Sequence, residues 1–312
     1  MNLSDIINLQ SPVPSLRAES QFEVEFSPES ATIWSWFKPR GTPCFSLALL
    51  QDIRTHDDAL TINNGLVNHQ GKVHQARYYV VGSRVPGIFN LGGDLALFLL
   101  LIRSQSREAL TRYASLCIDN MYPRIQHYGC PTLTTISLVQ GDALGGGFET
   151  ALTSDIIVAE RSAKFGLPEI LFNLFPGMGA YSLLARRIGT RQAEQIITSG
   201  KLISASELHD LGIVDCIAED GHGEEAVQGW INANRKRRNG MEAIFRARQN
   251  YLPVTRAELD RITDVWVDAA MRLEDRDLKM MERLVRSQVR RTEAGHCEQG
   301  RHTTENLPAI SA

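Results

Sequence analysis

The chain has 312 residues, of which 43% are hydrophobic and 22% charged, and its formal net charge is −3. That length holds one large domain or two small ones, in the balance of an ordinary globular protein, and the slight negative charge argues against general nucleic-acid binding, which calls for a basic domain. The five cysteines are odd in number and lack CxxC spacing, which argues against a disulfide framework or a zinc site and fits a reducing compartment.

Residues 1 to 20 carry Pro12 and Pro14 with little periodicity and read as an N-terminal arm. No basic stretch followed by an apolar run marks a secretory leader. From 21 to 90 short apolar runs alternate with turn residues. Thr32 to Phe37, Cys44 to Leu50 and Arg77 to Val81 read as strands. Helical patterns follow at Asp94 to Arg103 and Ser106 to Met121. The longest apolar run, Leu95 to Ile102, is too short to cross a bilayer, so no membrane insertion and a cytoplasmic location are expected. Thr134 to Gln140 reads as a buried strand closed by Gly141-Asp142. A helix should start within Gly145-Gly146-Gly147, and Ile156 to Ala159 reads as another strand. Repeated strand-then-helix units imply an α/β core over 21–222. From 223 to 292 the pattern is helical, with Trp266, Ala270, Leu273, Leu278, Met281 and Val285 on one apolar stripe. The polar stretch 293–312 reads as a disordered tail.

Gly145-Gly146-Gly147 sits between a strand and a helix start. There a ligand can approach the backbone, and the unpartnered first amides attract an anion or a developing oxyanion. The same residues also suit a plain tight turn, and the sequence leaves both readings open. Phe148-Glu149 follows the last glycine where a phosphate loop needs Lys-Ser/Thr, and GxGxxG spacing is absent, so a nucleotide site fits poorly. A carboxylate at Glu149 suits removal of an α-proton from a thioester held by those amides. It equally suits an exposed residue favouring the helix dipole. Glu169, a charge among apolar neighbours in Phe165-Gly166-Leu167-Pro168-Glu169-Ile170, would form an acid/base pair with Glu149 if the two share a pocket, where their pKa values would split. There is no GxSxG elbow and no HExxH. His127 and His209 read as surface or packing residues. No motif implies a cofactor or a metal.

The run from Gln140 to Glu149 resembles the signature of the crotonase (enoyl-CoA hydratase/isomerase) superfamily. So do Phe165 to Ile170, Phe175 to Ala180, Phe89 to Asp94, Thr198 to Ala205 and Leu211 to Val214. The resemblance covers about 75–220 and implies a spiral of repeated ββα units with a helical C-terminal region covering the acyl pocket. Tyr78 to Val81, Pro86 to Leu95 and Ile170 to Tyr181 are similar, more closely, to the diffusible signal factor synthases of bacterial quorum sensing. Leu91-Gly92 departs from the Ala-Gly pair of CoA-directed relatives.

By position, the resemblance implies backbone amides of Gly93 and Gly146 as the oxyanion hole and Glu149 and Glu169 as the acid/base pair. It places Met178, Trp266 and Leu284 at an acyl pocket, although plain core packing also suits them. It implies dehydration of a 3-hydroxyacyl group on acyl carrier protein to a cis-2-enoyl thioester, followed by hydrolysis to the free acid. It further implies a homotrimer and a signal-sensor partner. An ordinary hydratase or isomerase acting on CoA thioesters is the first alternative, and a non-enzymatic binding protein of the same fold is the second. Arg235, Lys236, Arg237, Arg238, Arg246 and Arg248 form a basic cluster that could steer an acidic carrier protein or simply be a solvated face.

Overall fold

The computed structural model describes residues 20–304, with side chains described to Arg290. The expected arm therefore lies, but for Ser20, outside the described residues. A six-stranded sheet is ordered β1 (Phe22–Ser27), β2 (Thr32–Phe37), β5 (Tyr78–Ser83), β7 (Thr134–Val139), β9 (Ile156–Glu160) and β12 (Cys216–Ala218). All neighbours in it are parallel except β1 and β2. A smaller sheet holds β6 (Gly87–Asn90), β8 (Gly141–Leu144), β10 (Lys164–Gly166) and β11 (Leu202–Ser204), with β6, β8 and β10 parallel. A hairpin of β3 (Leu66–His69) and β4 (Lys72–Gln75) stands apart.

The chain leaves each inner strand of the large sheet, adds one strand to the small sheet, and then turns into a helix or helical turn. β5 leads to β6 and the helix Leu95–Arg103, β7 to β8 and Gly146–Leu152, and β9 to β10 and the 3-10 turn Pro168–Phe172. This is the crotonase-type spiral of ββα units. Every residue of β2, β5, β7 and β9 is buried, as expected for strands covered on both faces. Polar side chains inside them are satisfied locally: Ser35 Oγ donates to Val80 O at 2.7 Å, and Ser137 Oγ meets Ser154 Oγ at 2.6 Å.

Several expectations need correction. Cys44 to Leu50 is not a strand. Ser46 caps a helix, Leu47–Ile62, by accepting from Leu49 N, and Leu49, Leu50, Ile53, Asp57 and Leu60 recur at helical spacing on its buried face. Gly141-Asp142 opens β8 rather than closing β7. The helix Arg107–Ile125 runs past Met121 and through Pro123. The residues of the C-terminal stripe fall on two helices, Arg256–Ala270 and Asp275–Thr304, with Leu273 between them, and residues 305–312 of the expected tail lie outside the described residues.

The helical part covers both sides of the molecule. Gly223–Asn234 and Arg238–Tyr251 close a core of Trp34, Trp36, Tyr78, Val80, Leu138 and Phe245 on one face of the large sheet. Arg256–Ala270 packs on Arg107–Ile125, and Asp275–Thr304 packs on Leu95–Arg103. Among the described residues no helix is long and apolar enough to cross a membrane.

Asp57 is buried beside Tyr79 and Tyr128, whose hydroxyls lie 3.3 and 3.5 Å from its oxygens. Burial pushes its carboxyl up to about 8, against the opposing charge of Arg124. The unfolded chain releases this proton near pH 3.9 while the folded chain keeps it, so the group costs stability as pH rises between the two values. Asp57→Asn should therefore flatten the fall in thermal stability from about pH 5 to about pH 8. A wild-type slope in melting curves of the variant would contradict this.

Candidate active site

The site is built where the small sheet ends. Gly145 turns the chain from β8 into the helix Gly146–Leu152 with φ 50° and ψ −123°, a conformation closed to ordinary side chains. A Cβ there would stand 2.5 Å from Glu169 Oε1. The turn after β6 lies directly against it. Asn90 Oδ1 accepts from Gly92 N at 2.8 Å, and a Cβ on Gly92 (φ +91°) would stand 2.7 Å from Leu144 O and 2.9 Å from Gly146 N. Gly93 and Gly146 thus border one cavity, and among the described residues neither amide has a hydrogen-bond acceptor. Tyr113 braces the first turn, its hydroxyl donating to Phe45 O at 2.6 Å and accepting from Asp94 N at 3.1 Å.

Both glutamates face this cavity. Glu149 is buried in the helix, not exposed at its surface. Its Oε1 accepts from Met178 N at 2.8 Å and Ala180 N at 2.9 Å. Burial raises its pKa, and these backbone donors oppose the rise. Glu169, in the turn after β10, is raised first by burial and then by the charge of Glu149. Its Oε2 is buried without a partner. Donated amides favour the ionised form, and a neighbouring charge favours the protonated one. Of the two, Glu149 is therefore the more readily ionised, and Glu169 holds its proton to higher pH.

The cavity has a volume of about 220 Å³ and its remaining wall is mostly apolar. Met178, Trp266 and Leu284 all line it. Trp266 packs edge-on to Phe98 at 5.1 Å between centroids. Phe98, Tyr113, Cys117 and Gln288 were missed by sequence reasoning, because aromatic and thiol groups on amphipathic helices look like core. Cys117 is no ready nucleophile, since burial drives its thiol pKa up and keeps it protonated. Gln288, on the last helix, donates to Leu91 O at 3.1 Å and ties that helix to the turn after β6.

Other singled-out residues lie elsewhere. His127 is buried and meets Asp155 at 3.1 Å, and Arg248 meets the same carboxylate at 2.6 Å. His209 is exposed at its surface and contacts Val214 O at 2.9 Å. Of the basic cluster, Arg238 pairs with Glu242 at 3.0 Å, and none of its six residues lines the cavity.

A family model described as enoyl-CoA hydratase/isomerase matches residues 71–289. The chain belongs to this family. It is 32% identical over 175 residues to the probable enoyl-CoA hydratase 2, mitochondrial, of Arabidopsis thaliana, covering 55% of this chain and 56% of that one. The chain thus spans little more than half the length of that relative. Among solved structures, an enoyl-CoA hydratase from Bacillus halodurans superposes with a TM-score of 0.69 at 21% identity, covering 84% of this chain and 99% of that one. Pseudomonas aeruginosa DspI superposes with a TM-score of 0.61 at 21% identity, covering 80% of this chain and 91% of that one. At that identity the two structures speak for the fold. Family members include hydratases and isomerases, and the two glutamates and two glycine turns of this member meet in one cavity.

Gly145→Ala should lower the unfolding free energy by about 1–3 kcal/mol through backbone strain, plus the cost of displacing Glu169. Gly212 also has a positive φ (+73°) but open space around it, so Gly212→Ala should cost less. Denaturant titration of both variants reads the difference, and equal costs would contradict the close approach of Glu169.

Proposed function

We propose that this chain dehydrates 3-hydroxyacyl thioesters and then hydrolyses the product, releasing a cis-2-unsaturated fatty acid signal from acyl carrier protein. The supporting observation is the pair of glutamates with opposed protonation preferences on one cavity wall, beside two amides without acceptors. Glu149 takes the α-proton, and the enolate oxygen rests on Gly93 N and Gly146 N. Glu169 protonates the departing 3-hydroxyl, which leaves as water. A second water then adds to the thioester carbonyl with a glutamate as base, and the thiol leaves with the proton. The apolar wall of Met178, Trp266 and Leu284 holds the acyl chain. The carrier protein, the signal product and the hydrolytic step rest on the resemblance of Pro86 to Leu95 and Ile170 to Tyr181.

A second reading, hydration or isomerisation of enoyl-CoA thioesters, is favoured by the family match and by the enoyl-CoA hydratase named above. Parallel assays of 3-hydroxyacyl groups on carrier protein and on CoA, following enoyl thioester and free acid separately, distinguish the two. Release of free acid from the carrier-bound substrate is the expected result. Enoyl thioester accumulating from CoA alone would overturn it.

Glu149→Gln and Glu169→Gln should each lower kcat/KM by about 10²–10⁴-fold, whichever thioester is turned over. Wild-type activity in either variant would sink the mechanism. The reaction needs one glutamate ionised and one protonated, so activity falls below the lower pKa, where both are protonated, and above the upper one, where both are ionised. Both limbs of the pH profile of kcat/KM should lie above about 4.3, the ordinary glutamate value. An acidic limb at that ordinary value would remove the case for buried carboxyls.

A further inference from the structure

A second hollow, of about 420 Å³, opens at the start of β5, whereas the thioester cavity lies where the strands of the small sheet end. The two share no lining residue. Three parts of the chain wall it: the β1–β2 turn with Ser27 and Ser30, the Arg77-Tyr78 start of β5, and the junction of helices Gly223–Asn234 and Arg238–Tyr251 with Asn232, Arg235 and Arg238.

The charges in this hollow do not balance. Three guanidinium groups line it against one carboxylate, Glu29. Arg238 is paired with Glu242. Among the described residues, Arg77 and Arg235 make no ion pair and no side-chain hydrogen bond. All three arginines lie close enough to the Tyr78 hydroxyl to oppose the rise that burial imposes on it. Arg235 follows the C-terminus of a helix, where a cation is favoured by the dipole. That accounts for one arginine only, since Arg77 comes from the sheet. Arg77 is half-buried and Arg235 exposed, and an anion held between like charges on one hollow relieves the repulsion that water only partly screens. The other arginine-lined hollow differs: there Arg186 holds Glu258, Arg248 holds Asp155, and Arg187 holds the carbonyls of Leu152 and Ser154.

We propose that the Arg77–Arg235 hollow binds a phosphate-bearing small molecule, a phosphate monoester or a pyrophosphate. Two free guanidinium forks match the oxygens of a phosphate group in parallel hydrogen bonds, and Ser27, Ser30 and Asn232 add neutral donors. The volume accommodates a ligand larger than one oxyanion. The site is separate from the thioester chemistry and does not depend on it.

Isothermal titration calorimetry of the full chain with pyrophosphate and with inorganic phosphate tests this. Saturable binding at one site is expected, tighter for pyrophosphate. Arg77→Ala and Arg235→Ala should each weaken it by about tenfold or more, the worth of one charge-assisted contact. Arg77→Lys, which keeps the charge but loses the fork, should fall between wild type and Arg77→Ala. Arg191→Ala, at an exposed arginine elsewhere, and Glu169→Gln should bind as wild type does. Circular dichroism confirms that each variant is folded. Absence of saturable heat with both probes would overturn the proposal. So would wild-type affinity in both alanine variants, or loss of binding in Glu169→Gln, which would move the ligand to the thioester cavity.

Discussion

Glu149 Oε1 accepts from the backbone amides of Met178 and Ala180, and much of the site depends on that pair of bonds. A carboxylate this deeply buried would be costly without donors. The two amides supply them and, in doing so, fasten the helix after β8 to the turn before the helix Ala180–Ile188. The Met178 side chain then lies over Gly146, and Gly177 is drawn so close to Trp266 that a Cβ would stand 2.4 Å from its ring. One interaction thus links the glycine turn after β8, the first of the two glutamates and the apolar wall. It also sets the second glutamate, because a charge kept on Glu149 is one reason Glu169 retains its proton.

Convergence of the remaining groups follows from strand register. β6, β8 and β10 are adjacent and parallel, with Asn90 opposite Ala143 and Leu144 opposite Gly166. Whatever follows their carboxyl ends must therefore come together: Gly92-Gly93 after β6, Gly145-Gly146 and Glu149 after β8, Glu169 after β10. Three turns of the spiral deliver three different chemical elements to one place, which is the general virtue of the carboxyl ends of parallel strands as a site. The last two helices then close the cavity, with Trp266, Leu284 and Gln288 on its wall.

The signals that sequence carried well were local. The strands Thr32–Phe37 and Thr134–Val139 were legible because continuous burial demands continuous apolar or small residues. The helix beginning at Gly146 was legible because glycine marks a backbone that must turn sharply. Glu149 and Glu169 stood out as charges in apolar or glycine-rich surroundings. Cys44 to Leu50 was misread because a short apolar run has no period of its own, and the decisive feature was the Ser46 cap. The C-terminal stripe was read only as a helical pattern, and its division into the helices Arg256–Ala270 and Asp275–Thr304 was not legible from apolar spacing.

By itself, then, the sequence determined an α/β class, the two glycine turns and the two carboxylates, each of them read from contiguous residues, while the spiral entered through the family resemblance. Tertiary structure alone decided that the carboxylates share a cavity, which of them ionises more readily, and that Tyr113, Cys117 and Gln288 belong to its surroundings. It also decided that Arg77 and Arg235 line one hollow that shares no residue with that cavity. Each of these depends on burial and on distances between segments remote in the chain, and neither composition nor periodicity encodes the field that one buried group exerts on another.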